Sequence, residues 1–203
     1  MISGKYEAWK LILGPLDKIL AHQDLPNKSN TTLAYFDSCE SPNIAFSDYL
    51  TRMRKYTECS DSCYILAFIY IDRALQNNPS LVVSNLNIHR LFLAAIILAI
   101  KYLDDLYSRN IIYARIGGVR LVEFNVLEAE MLKMIDYNLY VSPYLYFQYE
   151  NELLFQSLKI EEERLKVQEE MKDCCNKGLK PLRQIGSTES IKTTFSSNEE
   201  LEI

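Results

Sequence analysis

NIHRLFLAAIILAIKYLDDLY, residues Asn87 to Tyr107, is the stretch on which the fold turns, because Leu91 to Ile100 contains no polar side chain. A helix that is apolar on every face needs protein or lipid around it. The run is shorter than the roughly 20 residues that cross a bilayer, and Ala94, Ala95 and Ala99 sit poorly in a long strand. It therefore predicts a central helix buried in protein, capped by Asn87 and roughly 30 Å long. At its far end Lys101, Asp104 and Asp105 place a cation and two carboxylates at the rim. On pattern alone these are i,i+3 or i,i+4 pairs on one helix face, worth about 0.2–0.5 kcal/mol.

Working outward, the flanking segments also read as helices. Phe46, Tyr49, Leu50, Met53 and Tyr56 share one face of a short amphipathic helix. Ser60 or Asp61 then caps SCYILAFIYIDRAL, which ends near Gln76 before Asn77-Asn78-Pro79. Its Cys63 to Ile71 portion is nearly all apolar, so Asp72 lies close to the core and needs a partner, which Arg52 or Arg54 could supply. Beyond the central helix, SRNIIYARIGG mixes polar and apolar residues without a helical period. A connector of that length is more often functional or partner-facing than idle, although its Tyr113 equally suits a half-buried aromatic. Phe124, Leu127, Met131, Met134 and Ile135 mark a fourth helix, with Glu128 beside Leu127. Ser142-Pro143 opens a fifth, Ser at the N-cap and Pro at the first helical position.

At the N-terminal end, Trp9, Ile12, Leu13, Leu16, Ile19 and Leu20 recur at helical spacing, and Gly14-Pro15 predicts a kink or two pieces. Residues His22 to Asn43 read as a polar linker. Lys159 to Lys177 has the mixed charges of an exposed helix, and the polar, aperiodic stretch from Gly178 to Ile203 reads as a disordered tail.

Composition narrows the function. The chain has 203 residues, 48% hydrophobic, with six Gly and six Pro, enough for one full core and favouring helices. A formal charge of -5 gives no general attraction to phosphate backbones, so no nucleic-acid partner is expected. Five cysteines, at 39, 59, 63, 174 and 175, lack zinc-module spacing and read as reduced thiols. His22 and His89 are isolated, so no metal centre is expected. No Gly-rich phosphate loop follows a strand, no cofactor site is recognisable, and neither an enzyme nor a small-molecule substrate is indicated. The N-terminus carries Lys5, Glu7 and Lys10 and lacks a continuous apolar core, so the expected location is intracellular, in cytoplasm or nucleus, with no membrane partner.

Five helices around a buried third one, with YLTRMRKYT at 49–57, IYIDR at 69–73, the 87–107 run, YARIGGV at 113–119 and EFNVLEAEMLKMIDYNLYVSP at 123–143, resemble the cyclin box. Within that family the chain resembles the P/U type. The resemblance implies an all-α fold: a single cyclin box over 44–157, an N-terminal helical segment and linker over 1–43, and a charged helix and tail over 158–203. It implies a regulatory subunit that binds and activates a cyclin-dependent serine/threonine protein kinase. In the family, a Lys ending the third helix and a Glu on the helix after the loop face the kinase near its C helix; here they fall on Lys101 and Glu128. Asp104, Asp105 and Tyr113, which flank them, are counted with the kinase-binding set. The family's intramolecular Arg–Asp pair falls on Arg52 and Asp72. The alternative is a cyclin-fold scaffold that binds a kinase or transcription partner without activating it. The first box helix lacks the hydrophobic docking motif of conventional cyclins, so that function does not carry over.

Overall fold

The computed structural model describes residues 7–21 and 35–176, which form helices and the turns that join them. His22, most of the stretch read as a linker, and the tail beyond 176 lie outside the described residues. So do the side chains of Cys174 and Cys175. The chain divides into two compact units, Met1–Glu162 and Glu163–Ile203.

The helices are α1 (Ala8–Leu11), α2 (Leu13–Ala21), α3 (Phe46–Thr57), α4 (Ser62–Asn77), α5 (Ile88–Leu103), α6 (Asn110–Gly117), α7 (Leu121–Met134) and α8 (Pro143–Asn176). The expected central helix is α5, and its residues 91–100 are all at most 4% exposed. It packs against α3, α4, α6 and α7. The break expected at Gly14-Pro15 falls earlier, at Ile12 between α1 and α2. Pro15 then lies in the first turn of α2, where its missing N–H costs nothing.

Two expectations about elements are corrected. The aperiodic connector contains a helix, α6, and the helix opened by Ser142-Pro143 runs without a break into the charged helix expected over Lys159 to Lys177, the two forming α8. Gly117 explains the close docking of α6: a Cβ there would collide with the side chain of buried Leu93 on α5. Gly118, at φ +73°, ends α6 in the left-handed region, and Val119 N–H closes back on Ala114 C=O at 3.0 Å. The second correction concerns the end of α5. It stops at Leu103 and does not run on to Tyr107, because Asp104 turns extended (ψ 135°). The Asp104 carboxylate leaves the helix and accepts from Ser60 N–H (3.1 Å), Ser60 Oγ (2.7 Å) and Cys63 Sγ (3.4 Å). It ties the α3–α4 turn to the end of the central helix.

The helix starts are held in ways only partly expected. Asn87 precedes α5, but its side chain serves the turn before: Oδ1 accepts from Ser84 N–H at 2.8 Å and Nδ2 donates to Val82 C=O at 2.9 Å. Ser142 Oγ accepts from Leu145 N–H at 3.2 Å at the start of α8, as its N-cap position predicts.

The Arg52–Asp72 pair does not form. Arg52 points to the end of α6, where its guanidinium donates to Arg115 C=O at 3.2 Å, a last-turn carbonyl that also accepts the Gly118 N–H at 3.3 Å. Arg54 pairs with Asp61 at 3.1 Å. Asp72 faces α8, accepting from Tyr149 Oη at 2.5 Å and Gln76 Nε2 at 2.6 Å. Its partner is thus a phenol, and burial pushes its carboxyl above the ordinary aspartate value of 3.8 despite those hydrogen bonds. The neighbouring Arg73 instead donates to the carbonyls of Asn138 and Tyr140, and Tyr70 Oη donates to Leu139 C=O at 2.9 Å. Together they pin the α7–α8 connector to α4.

Two predictions follow from these anchors. An acid with a raised folded-state pKa contributes most below its unfolded pKa, and the contribution is lost as pH rises through the folded value. The contribution of Asp72 to stability should therefore fall as pH climbs from 3.8 toward neutrality, and the melting temperature of Asp72→Asn, which keeps the Tyr149 contact, should rise relative to the parent over that range and be no lower at pH 7. A marked loss of stability in the Asn variant at pH 7 would show that the carboxylate charge is needed. Asp104→Ala should lose about 1–3 kcal/mol in urea unfolding, since it removes the hydrogen bonds that Ser60 and Cys63 make to a charged acceptor, whereas Asp105→Ala, exposed beyond the helix end, should change stability by less than about 0.5 kcal/mol. Equal effects at the two positions would contradict the assignment of Asp104 to the fold.

Candidate functional site

Lys101 is the last-turn cation of α5, where the helix dipole favours positive charge. Its Nζ donates to Glu128 Oε1 on α7 at 2.5 Å and to Asn110 Oδ1 at the start of α6 at 2.6 Å. Asn110 Nδ2 in turn donates to Glu128 Oε2 at 2.9 Å and to Asn125 Oδ1 at 2.9 Å. Three helices therefore contribute one side chain each to a closed polar triad. The Lys101 and Glu128 side chains are 26% and 15% exposed, so the charges are neither solvated freely nor enclosed. The ion pair is held in place by Asn110, which fixes both partners at once and limits the side-chain entropy that weakens ordinary surface pairs.

The local pairing of Lys101 with Asp104 or Asp105 is not what forms. Asp104 is engaged by Ser60 and Cys63, and Asp105 lies exposed past the end of the helix, where no i,i+4 geometry exists. Of the five residues counted as kinase-facing, the structure brings Lys101 and Glu128 together. It places Asp104 on the fold side of the rim and Asp105 on the surface. It also corrects Tyr113, which is 1% exposed because α6 turns it inward. Tyr113 Oη accepts from Ser108 N–H at 2.9 Å and so latches the connector, and burial raises its hydroxyl pKa. A buried phenol holding its own chain offers no contact to a partner.

Asn110 is the residue that sequence reading missed. It lies 18 positions from Glu128 in a stretch without period, so no spacing rule links them. What surrounds the triad is apolar and uncovered: Tyr102, Leu103, Leu106 and Tyr107 follow Lys101, and Ile111 and Ile112 follow Asn110, all between 41% and 91% exposed. Polar anchors set among exposed aromatic and aliphatic side chains are what a protein–protein contact uses, the apolar rim excluding water from the hydrogen bonds. Among the described residues no group of His, Cys, Asp and Glu is placed to hold a metal ion, and no helix is long and apolar enough to cross a membrane.

A family profile, described as cyclin, matches residues 17–139. Among curated proteins the chain is similar to cyclin-U4-2 of Arabidopsis thaliana, 37% identical over 61% of this chain and 57% of the relative. It is similar to cyclin-P4-1 of Oryza sativa subsp. japonica, 39% identical over 56% of this chain and 54% of the relative. Cyclin-U3-1 of Arabidopsis thaliana is 41% identical over 66% of this chain and 57% of the relative. The matches span somewhat more than half the length of these relatives. With α5 buried as the box requires and the profile covering more than half of its residues, the chain belongs to the cyclin family and is of the P/U type.

Proposed function

We propose that this chain is a non-catalytic regulatory subunit that binds and activates a cyclin-dependent serine/threonine protein kinase, with Lys101 and Glu128 as its polar anchors on the kinase C helix. The observation that carries the reading is the meeting of these two residues, 27 positions apart, at 2.5 Å on a half-buried spot bordered by uncovered apolar side chains. Family membership supports the kinase as partner in general terms.

The chemistry is one of positioning. Phosphoryl transfer by a kinase requires its β3 Lys and C-helix Glu to be paired. A partner shifts that equilibrium only by the difference in its affinity for the two C-helix positions. A rigid surface supplies such a difference. Lys101 is a three-donor cation with two protein partners in the free chain, so its remaining hydrogen-bonding capacity can be directed at a kinase carbonyl or carboxylate. Glu128 offers acceptor capacity beside it. Leu106, Tyr107, Ile111 and Ile112 would bury apolar surface on the kinase, and that burial would supply the binding energy which holds the C helix inward.

Charge reversal separates docking from folding. Lys101→Glu and Glu128→Lys should each weaken kinase binding strongly, since each turns one of the two anchors into the opposite charge and sets like charges side by side at the half-buried docking spot. The double swap, Lys101→Glu with Glu128→Lys, restores an internal pair and should melt like the parent, yet remain deficient in binding and in stimulating phosphorylation of a peptide substrate. Calorimetric binding to the co-purified kinase, with circular dichroism as the folding control, makes the comparison. A swap that binds and activates normally would refute the anchors, and a parent chain that binds without raising kinase activity would favour the scaffold alternative.

A further inference from the structure

Arg52, Lys55 and Arg115 stand around one open groove of about 620 Å³ between α3 and the end of α6. Asp48, Thr51, Arg52 and Lys55 follow i, i+3, i+4, i+7 spacing and form one outward stripe of α3. Arg115 and Ile116 face that stripe from the last turn of α6, and Tyr56, 55% exposed, closes one end. Three cations thus confront the single carboxylate of Asp48, on a chain whose formal charge is -5. Among the described residues none of the three cations is held in an ion pair. Arg52 donates to the backbone carbonyl of Arg115, and the Lys55 ammonium lies 5.1 Å from the centroid of the Tyr56 ring.

We propose that this groove docks a short acidic segment of a partner protein, with carboxylates on Arg52, Lys55 and Arg115 and an apolar side chain against Tyr56 and Ile116. Charge complementarity chooses an anion, and the two guanidinium groups match carboxylates in fork geometry. The volume falls within the roughly 300–1,000 Å³ of ordinary ligand sites and admits a few side chains. Tyr56 and Ile116 add an apolar wall that a bare inorganic anion would leave unused. The negative balance of the whole chain repels an extended polyanion, which disfavours nucleic acid. The groove does not depend on the kinase contact. It lies at the C-terminal end of α6, whereas Asn110 and the triad lie at the other end, roughly 8–9 Å along the helix.

Fluorescence polarisation of the full chain with labelled peptide EDLEDLEE and its amide counterpart QNLQNLQQ tests the proposal without any kinase. The acidic peptide should bind saturably, at least about tenfold more tightly than the amide, because hydrogen bonds to charged partners are the stronger ones, and its affinity should fall with added salt. Lys55→Glu and Arg115→Glu should each weaken it about tenfold, while Lys101→Glu leaves it unchanged. Lys55 contacts an exposed ring, so its reversal keeps the fold, with thermal melting as the control. A phosphoserine version distinguishes the source of the charge: tighter binding points to a phosphorylated segment and equal binding to Asp and Glu. Equal affinity for EDLEDLEE and QNLQNLQQ, indifference to both charge reversals, or tighter binding of an oligothymidylate of equal length would overturn the proposal.

Discussion

The removal of α5 from water on every side is the constraint from which the rest of the molecule follows. Residues 91–100 offer no polar face, so α3, α4, α6 and α7 have to cover them. Alanines at 94, 95 and 99 leave room for those neighbours to approach, and the bulky Leu, Ile and Phe residues between them fill the gaps. Gly117 meets the same need from the other side, giving up its Cβ to let α6 settle on Leu93. A rod packed this closely does not bend or rotate freely. The side chains at its emerging end are therefore fixed relative to α6 and α7, which is what turns Lys101, Asn110 and Glu128 into one arrangement.

Around that rod the polar groups do a second task, joining elements at their ends. Asp104, Arg52, Arg73 and Tyr113 each reach across to a backbone or side-chain group on another element. Helix ends and the turns beside them present carbonyls and N–H groups, and these long side chains bond to them. The charged residues near the core are thus spent mainly on backbone termini. Two ion pairs join α5 to α7, Arg90 with Glu123 at 2.6 Å near the start of α5 and Lys101 with Glu128 at its end, the second beside apolar side chains that other protein atoms leave uncovered.

Much of the fold was legible because the relevant signals are local. An apolar run of that length has one physical solution in water, and the spacing of Phe124, Leu127, Met131 and Met134 marks α7 unmistakably; all four are buried. Helix α6 escaped notice because Ile111 and Ile112 stay exposed while Tyr113 and Ala114 go inside, so its eight residues carry no clean amphipathic period. Which face meets which is not a local property. Asp72 needed a partner, as its position beside the core required, but whether that partner came from α3 or α8 depended on the rotation of α4, and Tyr149 is 77 residues away. The candidate site was legible through family resemblance and not through spacing. Spacing alone favoured Lys101 with Asp104 or Asp105, a pairing that fails once Asp104 leaves the helix to hold Ser60.

Amide hydrogen exchange, measured on the chain alone and with a saturating kinase partner, tests the account most directly. It predicts that the α5 amides of residues 91–100 exchange only through global unfolding in both states, while residues 101–113 and the first two turns of α7 slow when the kinase is added. Local opening of α5 well below the global unfolding free energy, or kinase protection confined to other helices, would contradict it.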